Sequence, residues 1–249
     1  RWKPFIVNWE NEVTWQADFR AHHHIEPIGE DRYLWYLWGW GGCPGEMSPY
    51  SSDGIRVYDL ETETEVWSWQ LCQHYEPPSI HQDWSHVNTI EKFPGEDAVL
   101  ISSRNQHTLF KVDISETESK GEIIWALGRE GEFTVPEDAV FGRQHAPEIQ
   151  SNGNILIFDN GFYGDREYSR GLEISYDLDD MNVTKVWEYK PEQTGGGDIF
   201  TPIWGDADRL ENNNTLLTFG RRQGDKSSYI IEVTYEDKVE VWRLRTPHG

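Results

Sequence analysis

The sequence predicts an all-β fold. Three observations carry that expectation: a tryptophan recurring at near-constant spacing, a short β-type run before each one, and a polar turn between run and tryptophan. The tryptophans close Val13-Thr14-Trp15, Glu65-Val66-Trp67, Ile123-Ile124-Trp125, Lys185-Val186-Trp187 and Glu240-Val241-Trp242. The steps between them are 52, 58, 62 and 55 residues. The preceding runs are Ile55-Arg56-Val57-Tyr58-Asp59, Leu109-Phe110-Lys111-Val112-Asp113, Leu172-Glu173-Ile174-Ser175-Tyr176-Asp177 and Ile230-Ile231-Glu232-Val233. Self-similarity at such a period marks stacked copies of one unit, and a unit made only of short strands is a β-propeller blade.

Each repeat divides into four strands. The first two are clearest in the third repeat, Ala146 to Phe158, where Asn152-Gly153 predicts a hairpin with positive φ at both central residues. Asp208 to Leu217 holds the same place in the fourth repeat, Thr89 to Leu100 in the second, and Ile25 to Leu34 in the first. The third strand is the Val-Tyr-Asp type run, and the fourth ends on the tryptophan. Phe5 to Trp15 matches only the last two strands, so the chain is expected to open mid-blade. The expected layout is one propeller domain with a half blade at 1–18 and blades at about 19–72, 73–130, 131–192 and 193–249. Four and a half blades leave strand edges unpaired. The chain is therefore expected to be the later part of a larger, six-bladed propeller. Its first residue is Arg1 and not Met, which fits a removed leader or an excerpt. The loop from Glu192 to Pro202 is rich in Gly and Pro, as inter-blade loops are.

Composition narrows the function. A chain of 249 residues, 37% hydrophobic and 14% aromatic, is too apolar for disorder. No apolar run approaches the roughly 18 residues of a membrane span. Tyr33-Leu34-Trp35-Tyr36-Leu37-Trp38 instead reads as a buried aromatic strand. The formal net charge of −22 repels nucleic acid and anionic membranes. Only 8 of the 22 basic residues are Lys; that balance suits either a salty environment or an ordinary acidic periplasmic, secreted or cell-surface protein. Cys43 and Cys72 are too few for a disulfide framework; one bridge and two buried thiols are both open.

In a propeller the first strand of each blade lines the central channel, so residues at the heads of first strands converge. Those heads are Ala21-His22-His23-His24, Asp83-Trp84-Ser85-His86-Val87-Asn88 and Gly142-Arg143-Gln144-His145-Ala146-Pro147. Aligned on Leu34 and Leu156, His23 falls on His145, and the fourth repeat has Gly205. One histidine is usually a surface or satisfied core residue; three at one repeat position point to function. Arg104 ends the run Ala98-Val99-Leu100-Ile101-Ser102-Ser103, one hairpin after His86. A guanidinium beside imidazoles is a trap for a tetrahedral oxyanion.

Asp83 to Ile90, Leu100 to Gln106, Ile124-Trp125-Ala126-Leu127-Gly128, Gln144-His145, Phe158-Asp159-Asn160-Gly161 and Tyr168-Ser169-Arg170 together resemble the bacterial arylsulfate sulfotransferases. These are six-bladed propeller enzymes independent of PAPS. The likeness runs over about residues 83–190. It implies an enzyme that moves a sulfuryl group from an aryl sulfate donor to a phenolic acceptor through a sulfated histidine, with no cofactor and no metal. By motif, His145 matches the sulfated histidine, and His86, Asn88 and Arg104 match groups holding the sulfuryl oxygens. His23 matches a further histidine, although His22-His23-His24 allows a slip of one residue. His22, Asn160 and Arg170 are weaker candidates for substrate binding, with support of the site as the other reading. Two other functions stay open: a propeller that binds a ligand or partner without catalysis, and a metal-dependent hydrolase or lyase using the same histidines.

Overall fold

The computed structural model describes residues 2–28, 32–42, 51–76, 83–162, 166–192, 198–220 and 227–246. Cys43, the turn at Gly29-Glu30-Asp31 and residues 193–197 of the Gly/Pro-rich loop lie outside the described residues.

The fold is all-β and built of propeller blades. A two-stranded half blade comes first, from β1 (Phe5–Val7) and β2 (Val13–Gln16). The first full sheet has β3 (Ile25–Pro27), β4 (Tyr33–Gly42), β5 (Ser51–Asp59) and β6 (Thr64–Gln70). The second has β7 (Val87–Lys92), β8 (Ala98–Ser103), β9 (Thr108–Asp113) and β10 (Ile123–Gly128). The third has β11 (His145–Ile149), β12 (Ile155–Asp159), β13 (Arg170–Asp177) and β14 (Asn182–Tyr189). The fourth has β15 (Asp206–Arg209), β16 (Thr215–Phe219), β17 (Ser228–Val233) and β18 (Glu240–Thr246). Each sheet follows chain order, as sequential hairpins require. Two compact units result. Arg1–Lys92, Glu96–Gln106 and Lys111–Ile124 make the first; Phe93–Gly95, His107–Phe110 and Trp125–Gly249 make the second.

The repeated tryptophan marks a β-bulge. Ile6 pairs with Trp15 and Val7 with Val13; Val57 pairs with Trp67 and Tyr58 with Glu65. Glu173 pairs with Trp187 and Ile174 with Lys185; Glu232 pairs with Trp242 and Val233 with Glu240. The residue skipped each time (Thr14, Val66, Val186 or Val241) is the one before the tryptophan. An extra residue bends the strand and re-aims its neighbour; in the third sheet the bulge valine turns outward while the indole turns in. Val186 is 42% exposed and Trp187 4%.

Trp15, Trp125 and Trp187 each pack on a tyrosine of the following repeat. Within the first unit Trp15 lies 6.1 Å from Tyr58, in a cluster with Ala21, Tyr36 and Phe19. Within the second, Trp125 lies 5.2 Å from Tyr176, and Trp187 stacks on Tyr235 at 6.0 Å while donating its indole N–H to the Tyr235 carbonyl. Arg209 covers both of the latter rings. The aspartates ending the third strands cap their own turns. Asp59 accepts from Glu61 N–H, Asp113 from Ser115 N–H, and Asp177 from Asp179 and Asp180 N–H.

The Asn152-Gly153 hairpin departs from expectation. Only Gly153 has positive φ, +86°. Its N–H donates to the Gln150 carbonyl, and Asn152 uses its side chain to accept the Asn154 N–H at 3.0 Å. The fourth sheet repeats this turn with Asn213 at +67° and Asn212 accepting from Asn214 N–H. One left-handed residue at the end of the loop suffices, because the asparagine oxygen stabilises the other turn residues.

Candidate active site

In the first unit the segment before β7 is held rigid by its hairpin partner. Arg104 N–H donates to the His86 carbonyl, Ser103 Oγ to the Ser85 carbonyl at 2.6 Å, and Gln106 Nε2 to the Trp84 carbonyl at 2.6 Å. His86 adopts φ of +42°, an unusual conformation for a histidine. Its Nδ1 lies 2.7 Å from Asp83 Oδ2. A carboxylate only accepts, so Nδ1 carries the proton and Nε2 is left for other chemistry. Asn105 donates to the Asp83 carbonyl at 2.5 Å, and its own oxygen receives Arg104 Nη1 at 2.8 Å. Arg104 is therefore buried and oriented rather than a solvated surface charge. Asn88 is the bulged residue between Val87 and Thr89, also buried, with its amide oxygen 3.3 Å from Thr89 Oγ1.

The His22-His23-His24 triple separates cleanly. His24 Nδ1 accepts the Ile90 N–H at 3.1 Å, and burial lowers its pKa; it is a neutral structural residue. His23, with φ of +56°, places its ring 5.0 Å from that of His86. His22 Nδ1 lies 2.5 Å from His23 Nδ1, and its Nε2 lies 3.3 Å from Asp53 Oδ1. That second contact has ion-pair distance without hydrogen-bond alignment, which leaves Nε2 otherwise unbonded. Asp53 also accepts from Ser85 Oγ at 2.7 Å and Val87 N–H at 2.9 Å. Burial opposes the charge on Asp53, yet His22, Ser85 and Val87 hold its pKa below the usual carboxylate range. A glycine is required opposite: a Cβ on Gly39 would stand 2.4 Å from His22 Nε2 and 2.6 Å from Asp53 Oδ1.

In the second unit His145 is the first residue of β11, buried, and followed by a bulge. Its Nδ1 lies 2.7 Å from Asn160 Oδ1 and 3.1 Å from the Arg143 carbonyl. The Asn160 amide is fixed the same way round, because Nδ2 donates to the Thr201 and Trp204 carbonyls, both at 2.7 Å. Two acceptors therefore face Nδ1, which must carry the proton. The Nε2 lone pair is then the nucleophilic position of a neutral imidazole. Asn160 supports the histidine through this bond.

Arg170 has a different task. Nε donates to Asp159 Oδ2 at 2.9 Å, Nη1 to Glu188 Oε2 at 2.6 Å and the Asp138 carbonyl, and Nη2 to the Val140 carbonyl at 2.8 Å. Asp159 in turn accepts from Gly142 N–H at 3.0 Å, ahead of His145. Arg170 thus braces the residues around β11, and its donors go to protein acceptors.

The three histidines do not share one ladder position. His23 stands two residues before β3, His86 directly before β7, and His145 opens β11. What they share is left-handed backbone: His23 and His86 themselves, and Arg143 and Ala146 flanking His145, at +52° and +43°. In the fourth repeat Trp204 and Gly205 take it, and a Cβ on Gly205 would meet the Phe158 ring at 2.2 Å. Of the partners that fix the imidazoles, Asn160 was among the sequence candidates and Asp83 and Asp53 were not. Asp83, three residues before His86, had a readable signal; Asp53 and the Thr201 and Trp204 carbonyls meet their partners from distant segments and had none. Among the described residues no group of three His, Cys, Asp or Glu is placed to hold a metal ion.

The blade topology, with histidines oriented at or just before the first strands of its sheets, defines a β-propeller protein. The arylsulfotransferase (ASST) family model matches residues 10–248, and the chain belongs to that family. It is 28% identical over 171 residues to the arylsulfate sulfotransferase AssT of Escherichia coli O6:H1 (strain CFT073), covering 56% of this chain and 28% of that protein. It is 23% identical over 168 residues to AssT of Lelliottia amnigena, covering 55% and 28%. The aligned part is thus little more than a quarter of each relative's length. Among solved structures the chain resembles the Pseudomonas aeruginosa periplasmic gluconolactonase PpgL, with a TM-score of 0.52, 9% identity and coverage of 99% and 63%. It also resembles a putative 6-phosphogluconolactonase from Bacteroides fragilis, at 0.51, 9%, 99% and 78%. These last two likenesses speak for the fold alone.

Proposed function

We propose that this chain transfers a sulfuryl group from a phenolic sulfate ester to a phenolic acceptor, with His145 as the nucleophile. The observation that carries the proposal is the clamp on His145 Nδ1 by Asn160 and the Arg143 carbonyl, which in the neutral ring puts the lone pair on Nε2. In the first half-reaction the Nε2 lone pair attacks sulfur, the S–N bond forms, and the bond to the aryl oxygen breaks. The departing phenolate takes a proton from an imidazolium. In the second, the acceptor phenol gives its proton to the imidazole left neutral by the first, its oxygen attacks sulfur, and the S–N bond breaks to return the lone pair to His145 Nε2. Such covalent relay gives ping-pong kinetics.

Charge on the sulfuryl oxygens falls, in this proposal, to Arg104, Asn88 and protonated His86 or His23. Positioning and charge stabilisation dominate transfers of this kind. The network Arg104–Asn105–Asp83–His86 supports the assignment, because it orients one guanidinium and one imidazole together. We place the protein in an oxidising compartment, periplasmic or extracellular. Cys72 is disulfide-bonded, and such bonds persist outside the cytosol.

The direct test uses p-nitrophenyl sulfate with a phenolic acceptor. Nitrophenol release that depends on the acceptor supports transfer. Release without acceptor dependence would indicate hydrolysis, and no release from the full-length protein would indicate a binding propeller.

A further inference from the structure

In the second unit the Arg143 carbonyl is one of the two acceptors facing His145 Nδ1, and Arg143 itself has φ of +52°. An L-residue keeps that left-handed conformation only where its surroundings fix it. Two consecutive N–H groups ahead of His145 are gripped by side chains from other segments. Gly142 N–H donates to Asp159 Oδ1 at 3.0 Å, and Arg143 N–H donates to His107 Nδ1 at 2.9 Å. We propose that His107 is a positioning residue for His145: by accepting from Arg143 N–H it fixes the Arg143 backbone so that the carbonyl meets His145 Nδ1. The proposal deepens the sulfuryl-transfer reading and rests on it for the role of His145.

His107 is anchored for this task. It is buried in the turn between β8 and β9, 36 residues before Arg143. Its φ is +53°, and its carbonyl accepts the Arg129 N–H at 3.1 Å. Its ring stands edge-on to Phe162 at 5.1 Å. One segment, Asp159 to Phe162, thus supplies the acceptor for Gly142, the acceptor for His145 and the ring against His107. Glycine is needed at 142, because a Cβ there would stand 3.2 Å from His107 Nδ1, tighter than ordinary van der Waals contact. A backbone N–H can only donate, so His107 Nδ1 meets it with a lone pair. His107 and His145 therefore present opposite faces of the same chemistry at Nδ1: one accepts from Arg143, and the other donates to it.

The test compares the unaltered whole chain with His107→Phe, which keeps a ring against Phe162 and loses the acceptor, and His107→Asn, whose amide oxygen replaces Nδ1. Two readouts are taken: kcat and KM with p-nitrophenyl sulfate and a phenol, and the NMR signal of the His145 Nδ1–H proton. His107→Phe should lower kcat about tenfold with KM unchanged, less than loss of Asn160, which still holds Nδ1. The His145 Nδ1–H signal should shift or be lost to solvent exchange in His107→Phe. His107→Asn should recover most of the rate and the signal, which a purely structural role would not require. An unmoved His145 signal in folded His107→Phe overturns the proposal, whatever the turnover. If His107→Phe does not fold, His107→Asn decides: loss of the signal from that folded variant overturns the proposal, and its retention with near-native kcat upholds it. A signal that follows His107 as stated, in a chain that never turns over an aryl sulfate, upholds the positioning and sinks the sulfuryl-transfer reading instead.

Discussion

The proposed role of His145 as nucleophile depends on what its second nitrogen is bonded to. At His145 that partner is an asparagine oxygen whose own amide is pinned by two backbone carbonyls. His145→Ala should lower kcat by roughly a thousandfold or more while circular dichroism is unchanged. Asn160→Ala should lower it by about a hundredfold, through loss of orientation. Asn160→Asp keeps an acceptor toward Nδ1 and should recover part of that loss; recovery equal to Asn160→Ala would mean that orientation is not the issue. Arg104→Lys should cost about a hundredfold in kcat/KM, since an ammonium cannot reproduce the planar fork that also meets Asn105. The candidate imidazoles could be read from sequence because they sit near the heads of first strands in successive repeats, although the structure does not give them one ladder position. Their anchors could not, since Asp53 lies 31 residues from His22 and Thr201 lies 41 from Asn160.

At the scale of elements, the Trp signature carried more than periodicity revealed. It announced the fourth strand, and in the structure it also sets a bulge and a tyrosine-lined seam. Trp187→Ala should destabilise the second unit by about 3–5 kcal/mol, read as a lower denaturation midpoint. Trp242, 47% exposed, should lose far less on the same change. The Asn152-Gly153 turn was legible as a hairpin but not as this hairpin, because the asparagine side chain and not its backbone does the turning. On β15, Asp206 and Asp208 alternate with buried Ala207 and face Glu148. Burial first, then those two carboxylates, push the Asp208 pKa up to about 6. A raised carboxylate pKa favours the folded state at low pH, and that advantage is lost as pH rises from the unfolded value near 3.8 through about 6. Asp208→Asn should therefore stabilise the protein at pH 7.5 by on the order of 1 kcal/mol, discounted for partial exposure, and have little effect at pH 3.5. Equal effects at both pH values would remove the electrostatic explanation.

For the molecule as a whole, the blade count and the acidic charge follow from sequence, and the site's division of labour does not. With a formal net charge of −22, self-repulsion opposes folding, and added NaCl should raise the melting temperature through screening. A melting temperature indifferent to salt would show that local pairs already neutralise the field. Family membership is established over residues 10–248, while the chain spans about a quarter of the curated relatives it aligns with. Donor and acceptor must therefore be found by assay. The most direct measurement is the intact mass of the protein after brief exposure to an aryl sulfate without acceptor, followed by peptide mapping. One added sulfuryl group on His145, removed on adding a phenol, is the predicted result. Turnover with no adduct, or with the adduct on another residue, would contradict it.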